Sequence, residues 1–341
     1  MTHSELLGLL EAQGFEKSRL KQSSARNVVW SRDASHFQIV PEATLRAQSI
    51  SDVAELLKGA SITKSTVTFR SGGSSLSGQT VGRGVVIDTR SSFGEIKNIG
   101  AASITAEPGV TLSRLNGHLA KNKQRLGPDP ASMVASTLGG AVSNNSSGMT
   151  CGTKFNSYAT ILNAKIVFAD GVILDTALDN ADQLFSQLKP DIYQTLIAKR
   201  DQIRADPHLV KELRRLFSLK NTMGYNLIAF LDHDAPVDIL LRLMVGSEGT
   251  LAFLGEIEMQ TLPVKAAKQT NLLLFESLES ANDQLLEIIT FAPAAIELMD
   301  RTSLEALNGQ KMLPDQVVER LGPDSAAVLV EFEADNDQEI A

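Results

Sequence analysis

The chain has 341 residues, of which 43% are hydrophobic and 21% are charged, and this length and composition are typical of a globular protein with two domains. Its formal net charge of −8 argues against nonspecific nucleic-acid binding, which needs a basic surface. The single cysteine, Cys151, excludes an intrachain disulfide framework, and also a zinc site or iron–sulfur cluster ligated by cysteines of this chain alone.

The amino-terminal sequence has neither the basic start nor the apolar core of a signal peptide. No run of residues approaches the ~20 apolar positions of a membrane span. We therefore expect a cytoplasmic protein without a transmembrane segment, and peripheral association with the inner face of a membrane stays open.

The first part of the chain predicts alternating helices and strands. Residues 4–14 predict an amphipathic helix ended by Gly14, and "SHFQIVPEAT" predicts a strand closed by Pro41. A helix over "SISDVAELLKGA" follows, with Ser51 as its N-cap. "TVTFR" and "GVVIDTR" predict two strands that flank a glycine–serine loop. This order of elements indicates an α/β layer.

The middle of the chain predicts a second layer. "SITAEPGV" predicts a strand, "TLSRLNGHLAKN" a helix, and a long irregular segment comes next. The strands "AKIVFA" and "VILDT" are joined by a hairpin turn at Asp170-Gly171. Residues 181–217 predict charged helices. "LLRLMVGSEGTLAFLGEIEMQTLP" predicts a helix, a turn and a strand that ends at Pro263.

Beyond about residue 265 the composition changes. "TNLLLFESLESANDQLLEIITF" predicts a strand and a helix, and "AAIELMD" and "AAVLVEFEA" predict two more strands. This pattern indicates the beginning of a separate α+β domain. We expect the chain to be part of a longer protein, since a domain that has just begun a new strand rarely stops there.

The glycine–serine loop Arg70–Thr80, "RSGGSSLSGQT", has three interpretations. A structural loop would use glycine and serine only to make turns. A P-loop needs a lysine where Gln79 stands, and a helix directly after it, whereas "VGRGVV" returns to a strand. A diphosphate cradle needs only backbone N–H groups around a concavity, to which Ser74, Ser75 and Ser77 can add hydroxyl donors. Because the GxGxxG fingerprint is absent, the cradle would not belong to a Rossmann fold.

A second stretch, Gly127–Gly148, is also rich in glycine and other residues with small side chains: "GPDPASMVASTLGGAVSNNSSG". One such loop suits a phosphate, whereas two suit a long ligand that has both a diphosphate and a flat polar ring system. A flavin needs hydrogen bonds around its pyrimidine edge and close approach of the backbone to its faces. The residues that can supply these are small or polar: Ser136, Thr137, Gly139, Gly140, Asn144 and Asn145.

Five motifs together resemble a known family. "VTFRSGGSSLSGQTVGRGVVIDT", "ITAEPGVTLSRLNGHLA", the second stretch, "VFADGVILDT" and "MVGSEGTLAFLGEIEMQTLP" occur in the order found in FAD-linked oxidases of the vanillyl-alcohol oxidase superfamily. The chain looks most like the branch that contains glycolate oxidases, D-lactate dehydrogenases and D-2-hydroxyglutarate dehydrogenases. "PAAIELMDRTSLEAL", Pro293–Leu307, is similar to the start of that branch's substrate-binding cap. The resemblance covers about residues 36 to 335.

The resemblance implies an α+β protein with a p-cresol methylhydroxylase-type FAD-binding domain of two α/β subdomains, followed by the start of a ferredoxin-like α+β cap domain. The implied domains are an N-terminal helical segment at 1–33, the FAD-binding domain at 34–265 and the cap at 266–341. Within the FAD-binding domain, a helical insert is expected at about 180–220.

The resemblance also implies which residues bind FAD. Those expected around the pyrophosphate are Ser71, Gly72, Gly73, Ser74, Ser75, Leu76 and Gly78. Those expected along the rest of the cofactor are Pro128, Asp129, Ser132, Ser136, Thr137, Gly139, Gly140, Asn144, Asn145, Gly148, Glu248 and Gly249, with Thr250 beside them. Covalent relatives carry a histidine at the position of Ser74, and Cys151 does not match a cysteinyl attachment site, so non-covalent FAD is expected.

The implied reaction is oxidation of a D-2-hydroxy acid of the D-lactate or D-2-hydroxyglutarate type by hydride transfer to flavin N5. Electrons would pass to an iron–sulfur module or a quinone-linked acceptor that is not in this chain. Lys220, Asn221 and Tyr225 of "LKNTMGYN" resemble a segment that faces the substrate, and a solvated loop is the alternative. The catalytic base stays unassigned.

Two other functions stay open. One is a non-catalytic FAD- or nucleotide-binding module, and the other is a flavoenzyme similar to UDP-N-acetylenolpyruvylglucosamine reductase. Among the remaining features, "LDHDAP" is interpreted as a solvated loop rather than a metal site, and His36 and His118 as structural residues. The basic residues of the helical insert are interpreted as a solvated face, with a docking surface as the alternative.

Overall fold

The computed structural model describes residues 3–15, 24–336 and 338–340. The chain divides into two compact units, Met1–Leu262 and Pro263–Ala341. Each unit combines helices with β-sheet, so the predicted α+β class is confirmed. The predicted domain limits stay predictions, and residues 1–2 and 16–23 of the predicted N-terminal segment lie outside the described residues.

A parallel three-stranded sheet forms the first layer of the larger unit. Its strands run in the order β1-β3-β2, and Val85 pairs with both Ala43 and Val67. Parallel strands of one sheet need a crossover connection, and helix α3 provides it between β1 and β2, which lie on either side of β3. The elements of this layer are α1 (His3–Ala12), α2 (Ser24–Val29), β1 (Ala43–Arg46), α3 (Ile50–Thr63), β2 (Val67–Arg70) and β3 (Val85–Asp88).

Helix α3 is anchored by its apolar face and by its N-cap. The apolar face, with Val53 and Leu56, belongs to the same buried cluster as Leu45 and Ile87 of the sheet. The N-cap is Ser49, whose hydroxyl accepts a 3.1 Å hydrogen bond from the backbone N–H of Asp52. The predicted cap at Ser51 is therefore wrong, because that residue already lies within the helix.

A second, larger sheet has the order β4-β5-β9-β7-β8, and β6 also pairs with β9. Strand β9 is central, with antiparallel neighbours β5 and β7, and it is buried along most of its length. The strands are β4 (Ile96–Ile99), β5 (Ser103–Ala106), β6 (Gln124–Leu126), β7 (Ile161–Val167), β8 (Ile173–Asp175) and β9 (Phe253–Pro263). The helices that accompany them are α4 (Leu112–Leu119), α5 (Leu138–Asn144) and α6 (Ser157–Thr160).

Five helices lie between β8 and β9: α7 (Ala181–Leu188), α8 (Pro190–Arg204), α9 (Pro207–Phe217), α10 (Ala229–Asp232) and α11 (Pro236–Met244). Three of them start with a proline at the first helical position, where the missing N–H costs no hydrogen bond. Among the described residues, none of the helices is both long and apolar enough to cross a membrane.

The basic side chains of this insert do more than face solvent. Arg204 donates to the carboxylate of Asp234 at 2.6 Å and to the carbonyl oxygens of Phe230 and His233 at 2.8 Å each. Arg214 donates to the carboxylate of Asp232 at 2.6 Å. The two arginines stay partly exposed, as a solvated face implies, and they also hold α8 and α9 against the segment that contains "LDHD".

The smaller unit has an antiparallel sheet of order β10-β12-β11. Its core includes Ala281 and Ile288 of α12 and Val328 and Val330 of β12. Ser277 caps α12 with a capping box that also involves Ser280. The elements are β10 (Ala267–Phe275), α12 (Leu278–Thr290), β11 (Ala295–Met299), α13 (Arg301–Gly309), α14 (Asp315–Val318) and β12 (Ala326–Ala334).

Two predictions about secondary structure are wrong. The strand predicted over "SHFQIVPEAT" is absent: a single bridge joins Arg32 to Gln38, and β1 starts only after Pro41, which has no N–H to give to a sheet. The segment predicted to be irregular, residues 126–157, contains α5, and β6 ends at its first residue. Its glycines concealed the helix, because glycine is a poor helix former in isolation.

Candidate functional site

The two glycine-rich stretches lie side by side in the larger unit and line one cavity of about 840 Å³. The lining consists mainly of small, hydroxyl-bearing and amide side chains together with backbone. Among the described lining residues, only Arg70, Lys220 and Glu248 carry a charge. A volume near the upper end of the usual range for small-molecule sites, about 300–1,000 Å³, suits a large and polar ligand.

Direct contacts fix the two loops against each other. The Thr137 hydroxyl donates to Ser71 Oγ at 2.8 Å, and the hydroxyls of Ser74 and Ser136 are 3.1 Å apart. An ideal Cβ on Gly72 would lie 2.3 Å from the carbonyl oxygen of Ala135, so the backbones approach too closely for any side chain at this position. The cavity therefore depends on glycine where the loops meet.

Helix α5 is positioned at the cavity by its first residues. The N–H groups of Leu138 and Gly139 donate to the carbonyl oxygens of Val110 and Pro108 at 2.8 and 2.9 Å. An ideal Cβ on Gly139 would lie 2.5 Å from Pro108 Cβ, whereas one on Gly140 would meet nothing closer than 3.5 Å. Gly139 thus permits the close packing of the helix, and Gly140 leaves open space beside the cavity.

A tight turn before β9 closes another side of the cavity. Gly246, Glu248 and Gly249 have φ angles of 79°, 53° and 72°, and the left-handed conformation costs energy for the non-glycine residue. Glu248 is held there by two bonds: its N–H donates to Ser143 O at 2.8 Å, and its Oε1 accepts from Asn144 Nδ2 at 2.7 Å. Burial raises the pKa of the Glu248 carboxyl, and hydrogen bonds from Asn144 and Gln79 offset part of this increase.

Most of the residues that sequence analysis assigned to the cofactor line this cavity: Ser71, Gly72, Gly73, Ser74, Ser75, Leu76, Ser132, Ser136, Thr137, Gly139, Gly140, Asn144, Glu248 and Gly249. Thr250 lines it as well. These residues come from three segments of the chain, so the fold brings together what the two stretches and the "GSEG" turn indicated separately.

The other predicted cofactor residues support the loops from outside the lining. Gly78 has a φ of 81°, and an ideal Cβ there would lie 2.6 Å from the Phe37 ring. Asn145 caps α5 in the left-handed conformation and is buried. An ideal Cβ on Gly148 would lie 2.1 Å from the carboxylate of Asp129. Pro128, the residue before Asp129, is buried.

Of the three predicted substrate residues, one lines the cavity and two do not. Lys220 lines the cavity and places its Nζ 3.5 Å from the carbonyl oxygen of Gly148. Asn221 caps its own loop by accepting from the N–H of Met223 at 3.0 Å, and the Tyr225 hydroxyl bonds Thr250 Oγ1 at 2.8 Å. Neither Asn221 nor Tyr225 is part of the lining, so Lys220 is the member of this set that faces the cavity.

Sequence analysis missed Arg70 as a site residue. It is the last residue of β2 and the first of the glycine–serine loop, and it lines the cavity. The available signal was its position: a cation at the carboxyl end of a parallel strand, next to a proposed diphosphate cradle. Ser143, Ser146 and Ser147 also line the cavity, and they extend the hydroxyl-rich character of the second stretch.

The polar side chains of the "LDHD" motif lie at the surface and are hydrogen-bonded to neighbouring residues. Asp232 accepts from the Tyr158 hydroxyl at 3.0 Å, and His233 Nε2 accepts from Arg242 Nε at 3.3 Å. Burial lowers the pKa of His233. No group of three or more potential metal ligands occurs among the described residues. Cys151 is buried with a raised pKa, chiefly because of burial, and lies outside the cavity lining.

Comparison with known proteins gives two family matches. Residues 41–177 match the family described as FAD binding domain, and residues 264–341 match FAD linked oxidases, C-terminal domain. The first match contains both glycine-rich stretches, and the second contains all the described strands and helices of the smaller unit. Together they confirm the predicted family, its FAD-binding domain and its fold class.

Individual relatives agree with these matches. The D-2-hydroxyglutarate dehydrogenase of Pantoea ananatis (strain AJ13355) is 26% identical over 94% of this chain and 34% of its own length. The glycolate oxidase subunit GlcD of Bacillus subtilis (strain 168) is 26% identical over 87% of this chain and 53% of its own length. A solved structure of alkyldihydroxyacetonephosphate synthase, 18% identical, covers 98% of this chain and 56% of its own with a TM-score of 0.66, which supports the fold. The chain thus spans between a third and a little over half of these relatives.

Proposed function

We propose that this chain, which belongs to the FAD-linked oxidases, is the FAD-binding part of a dehydrogenase that oxidises a D-2-hydroxy acid of the D-lactate or D-2-hydroxyglutarate type. Relatives named for D-2-hydroxyglutarate and glycolate support a hydroxy acid as the substrate class. The observation that carries the proposal is the convergence on one nearly neutral cavity of two glycine-rich stretches that both lie within the residues matched to the FAD-binding domain.

The cavity fits FAD in its size and in its donors. The loop from Ser71 to Leu76 would hold the pyrophosphate through backbone N–H groups and serine hydroxyls, which bind oxyanions without a metal. The residues from Ser132 to Asn144 would line the ring system, where Gly140 leaves room for close approach. Glu248 and Gly249 would close the site, and Gly78, Pro128, Asp129, Asn145 and Gly148 would act by supporting the loops.

The proposed attachment is non-covalent. Ser74, at the position where covalent relatives have a histidine, is 3.1 Å from the Ser136 hydroxyl and cannot form a flavin–histidyl bond. Cys151 is buried and lies outside the lining. Its raised pKa also keeps the thiol protonated, which disfavours a thiolate attack on the flavin.

When bound, FAD would accept a hydride from the α-carbon of the hydroxy acid. The chain's own task at the substrate is to hold the carboxylate. Lys220 supplies an exposed ammonium group at the cavity, and charge-assisted bonds of this kind are about twice as strong as neutral ones. Asn221 and Tyr225 lie next to it in sequence and are retained as proposed substrate residues.

Other parts of the proposal rest on the sequence. The electron acceptor would be an iron–sulfur module or a quinone-linked partner, since this chain has a single cysteine. A cytoplasmic location with optional association at the inner membrane face, and the domain limits at 33/34 and 265/266, are likewise proposals. The catalytic base is left unassigned.

The test is spectroscopic. Purified protein, reconstituted with FAD if necessary, should show the visible flavin bands, and anaerobic D-lactate or D-2-hydroxyglutarate should bleach them while the L-enantiomers do not. If the FAD-loaded protein is reduced by no 2-hydroxy acid, the alternative of a non-catalytic FAD-binding module is supported. A protein that does not bind FAD at all would overturn the proposed cofactor site.

A further inference from the structure

Arg70 places a positive charge directly beneath the first glycine-rich loop. An ideal Cβ on Gly73 would lie 2.7 Å from Arg70 Nη2 and 3.1 Å from its Cζ, so the guanidinium fills the space that a side chain at Gly73 would need. Gly73 also has a φ of 66°, which favours glycine independently. The cation and the turn of the loop are therefore built around each other.

A segment outside the matched FAD-binding domain holds the arginine and the loop. We call residues 30–38 the N-terminal strap, since the match begins only at residue 41. The ring of Trp30 lies under the Arg70 guanidinium, with 5.3 Å between the Arg70 Cζ and the ring centroid. Such a cation–π contact orients the guanidinium without neutralising its charge.

The strap also bonds the loop at both of its ends. The N–H of Ala34 donates to the carbonyl oxygen of Gly73 at 3.1 Å, and the Thr80 hydroxyl donates to Asp33 Oδ2 at 3.0 Å. Near the far end of the loop, Phe37 packs against Gly78. The loop is therefore braced from outside the cavity before any ligand enters.

The charge of Arg70 is incompletely satisfied. Its Nη1 is buried and has no hydrogen-bond partner among the described residues. Burial lowers the pKa of Arg70, and the charges of Asp33 and Asp88 offset this only in part. Asp88 is itself engaged by Arg46 at 3.5 Å and by two N–H groups of the following turn. The partly buried charge of Arg70 is therefore incompletely compensated, and because Arg70 lines the cavity, an anion bound there would lower the cost of burying it.

We propose that Arg70 binds the diphosphate of FAD from beneath the backbone cradle, and that the N-terminal strap positions it through Trp30 and Asp33. The cradle contributes hydrogen bonds, whereas the guanidinium contributes the compensating charge and donors in a planar fork that suits phosphate oxygens. The proposal rests on the proposed FAD site, and it makes residues that precede the match at residue 41 part of that site.

The test compares wild type, Arg70→Gln and Arg70→Lys, with Arg204→Gln as the matched control, because Arg204 makes its ion pair away from the cavity. For each protein we would measure the Kd for FAD and the thermal unfolding with and without FAD. Arg70→Gln should weaken FAD binding by about 10- to 100-fold, the usual effect of losing hydrogen bonds to a charged partner. Arg70→Lys should recover part of the loss, and Arg204→Gln should bind FAD as wild type does.

Thermal unfolding with and without FAD separates binding from structure. If Arg70 serves the diphosphate, FAD should raise the unfolding temperature of Arg70→Gln by less than it raises that of wild type, whatever the FAD-free form does, since the substitution removes both the Trp30 contact and an unpaired buried donor. An increase in unfolding temperature on adding FAD that equals the wild-type increase would mean a structural role only and would overturn the proposal. If wild type binds FAD and Arg70→Gln binds it with the same Kd, the proposal is also overturned. If wild type binds no FAD, the proposed function is refuted instead.

A double-mutant cycle tests the strap. Trp30→Leu should weaken FAD binding in wild type by a smaller factor than Arg70→Gln does, and should have no further effect in the Arg70→Gln background, since its contribution acts through the guanidinium. Independent, additive effects of the two substitutions would overturn the positioning role of Trp30.

Discussion

Asn144 and Glu248, 104 residues apart, are joined by a 2.7 Å hydrogen bond from the amide Nδ2 to the carboxyl Oε1. The bond ties the end of α5 to the strained turn before β9, and both residues line the proposed FAD cavity. Because the carboxyl group is partly buried among polar but uncharged neighbours, its ionisation has a measurable cost. The first prediction follows from that cost.

The stability of the FAD-free protein should depend on the ionisation of Glu248. The pKa of Glu248 in the folded protein is raised above the ordinary value of 4.5. The stabilising contribution of the protonated carboxyl to the free energy of unfolding is therefore fully present below pH 4.5 and is lost as the pH rises through the folded pKa. Glu248→Gln keeps an oxygen that can accept from Asn144 but cannot ionise. We expect its free energy of unfolding to fall less than that of wild type as the pH rises from 4.5 toward neutrality in urea titrations.

The control is Glu212→Gln. Arg215 holds the pKa of Glu212 below its ordinary value, through a hydrogen bond at the surface, so its small contribution has the opposite sign and is lost as the pH falls. Parallel pH profiles for wild type and Glu248→Gln would refute the assignment of a strained, buried carboxyl at this turn.

Gly72→Ala should separate the two loops. The new methyl group would lie 2.3 Å from the backbone oxygen of Ala135, and a backbone atom cannot move aside as a flexible side chain can. We expect a loss of about 1–3 kcal/mol in the free energy of unfolding and a large loss of FAD affinity. Urea unfolding and FAD titration would measure the two effects.

Gly117→Ala is the matched control, because an ideal Cβ at this position in α4 meets nothing within 4 Å. It should raise stability by roughly 0.5–1 kcal/mol, since alanine favours a helix over glycine, and should leave FAD affinity unchanged. Wild-type behaviour of Gly72→Ala would mean that the loops do not pack as closely as described.

FAD should leave the protein when it unfolds. The geometry at Ser74 and the burial of Cys151 offer no side chain for covalent attachment. Acid precipitation of loaded protein should leave the flavin in the supernatant, and a denaturing gel should show no flavin fluorescence on the protein band. Fluorescence that stays with the band, together with a flavinylated peptide in mass spectrometry, would contradict the non-covalent site.

Lys220→Gln should impair the response to substrate without changing FAD affinity. As a charged residue at the cavity, Lys220 would contribute about 1.5–3 kcal/mol to a carboxylate, which corresponds to a rise of roughly 10- to 100-fold in the substrate concentration needed for flavin reduction. Stopped-flow reduction under anaerobic conditions measures this. Lys211→Gln, at an exposed position of α9, should leave reduction unchanged.

If Lys220→Gln and wild type show the same substrate dependence of flavin reduction, the "LKNTMGYN" segment is better interpreted as a solvated loop. A loss of FAD affinity in Lys220→Gln would instead assign the lysine to the cofactor. The two outcomes are distinguishable because FAD binding and flavin reduction are measured on the same preparation.

Local pattern was sufficient for much of the architecture. The alternation of apolar runs with glycine, proline and polar turns predicted most strands and helices, and the hairpin at Asp170-Gly171 forms with a φ of 83° at Gly171. The two glycine-rich stretches indicated a large anionic ligand because glycine and serine are the residues that let a backbone approach one. Helix α5 escaped prediction, since its two glycines disfavour a helix locally, whereas Gly139 is needed for packing against Pro108 and Gly140 leaves open space.

The sequence by itself therefore determined the α+β class, the glycine-rich stretches and the family with its FAD-binding domain. Tertiary structure alone decided which residues act together: Arg70 under Gly73, the N-terminal strap beneath the loop, and Asn144 with Glu248 across 104 residues. The physical reason is distance along the chain. Turn and helix preferences are read from neighbouring residues, whereas the burial, charge and partners of a side chain depend on segments that meet only after folding.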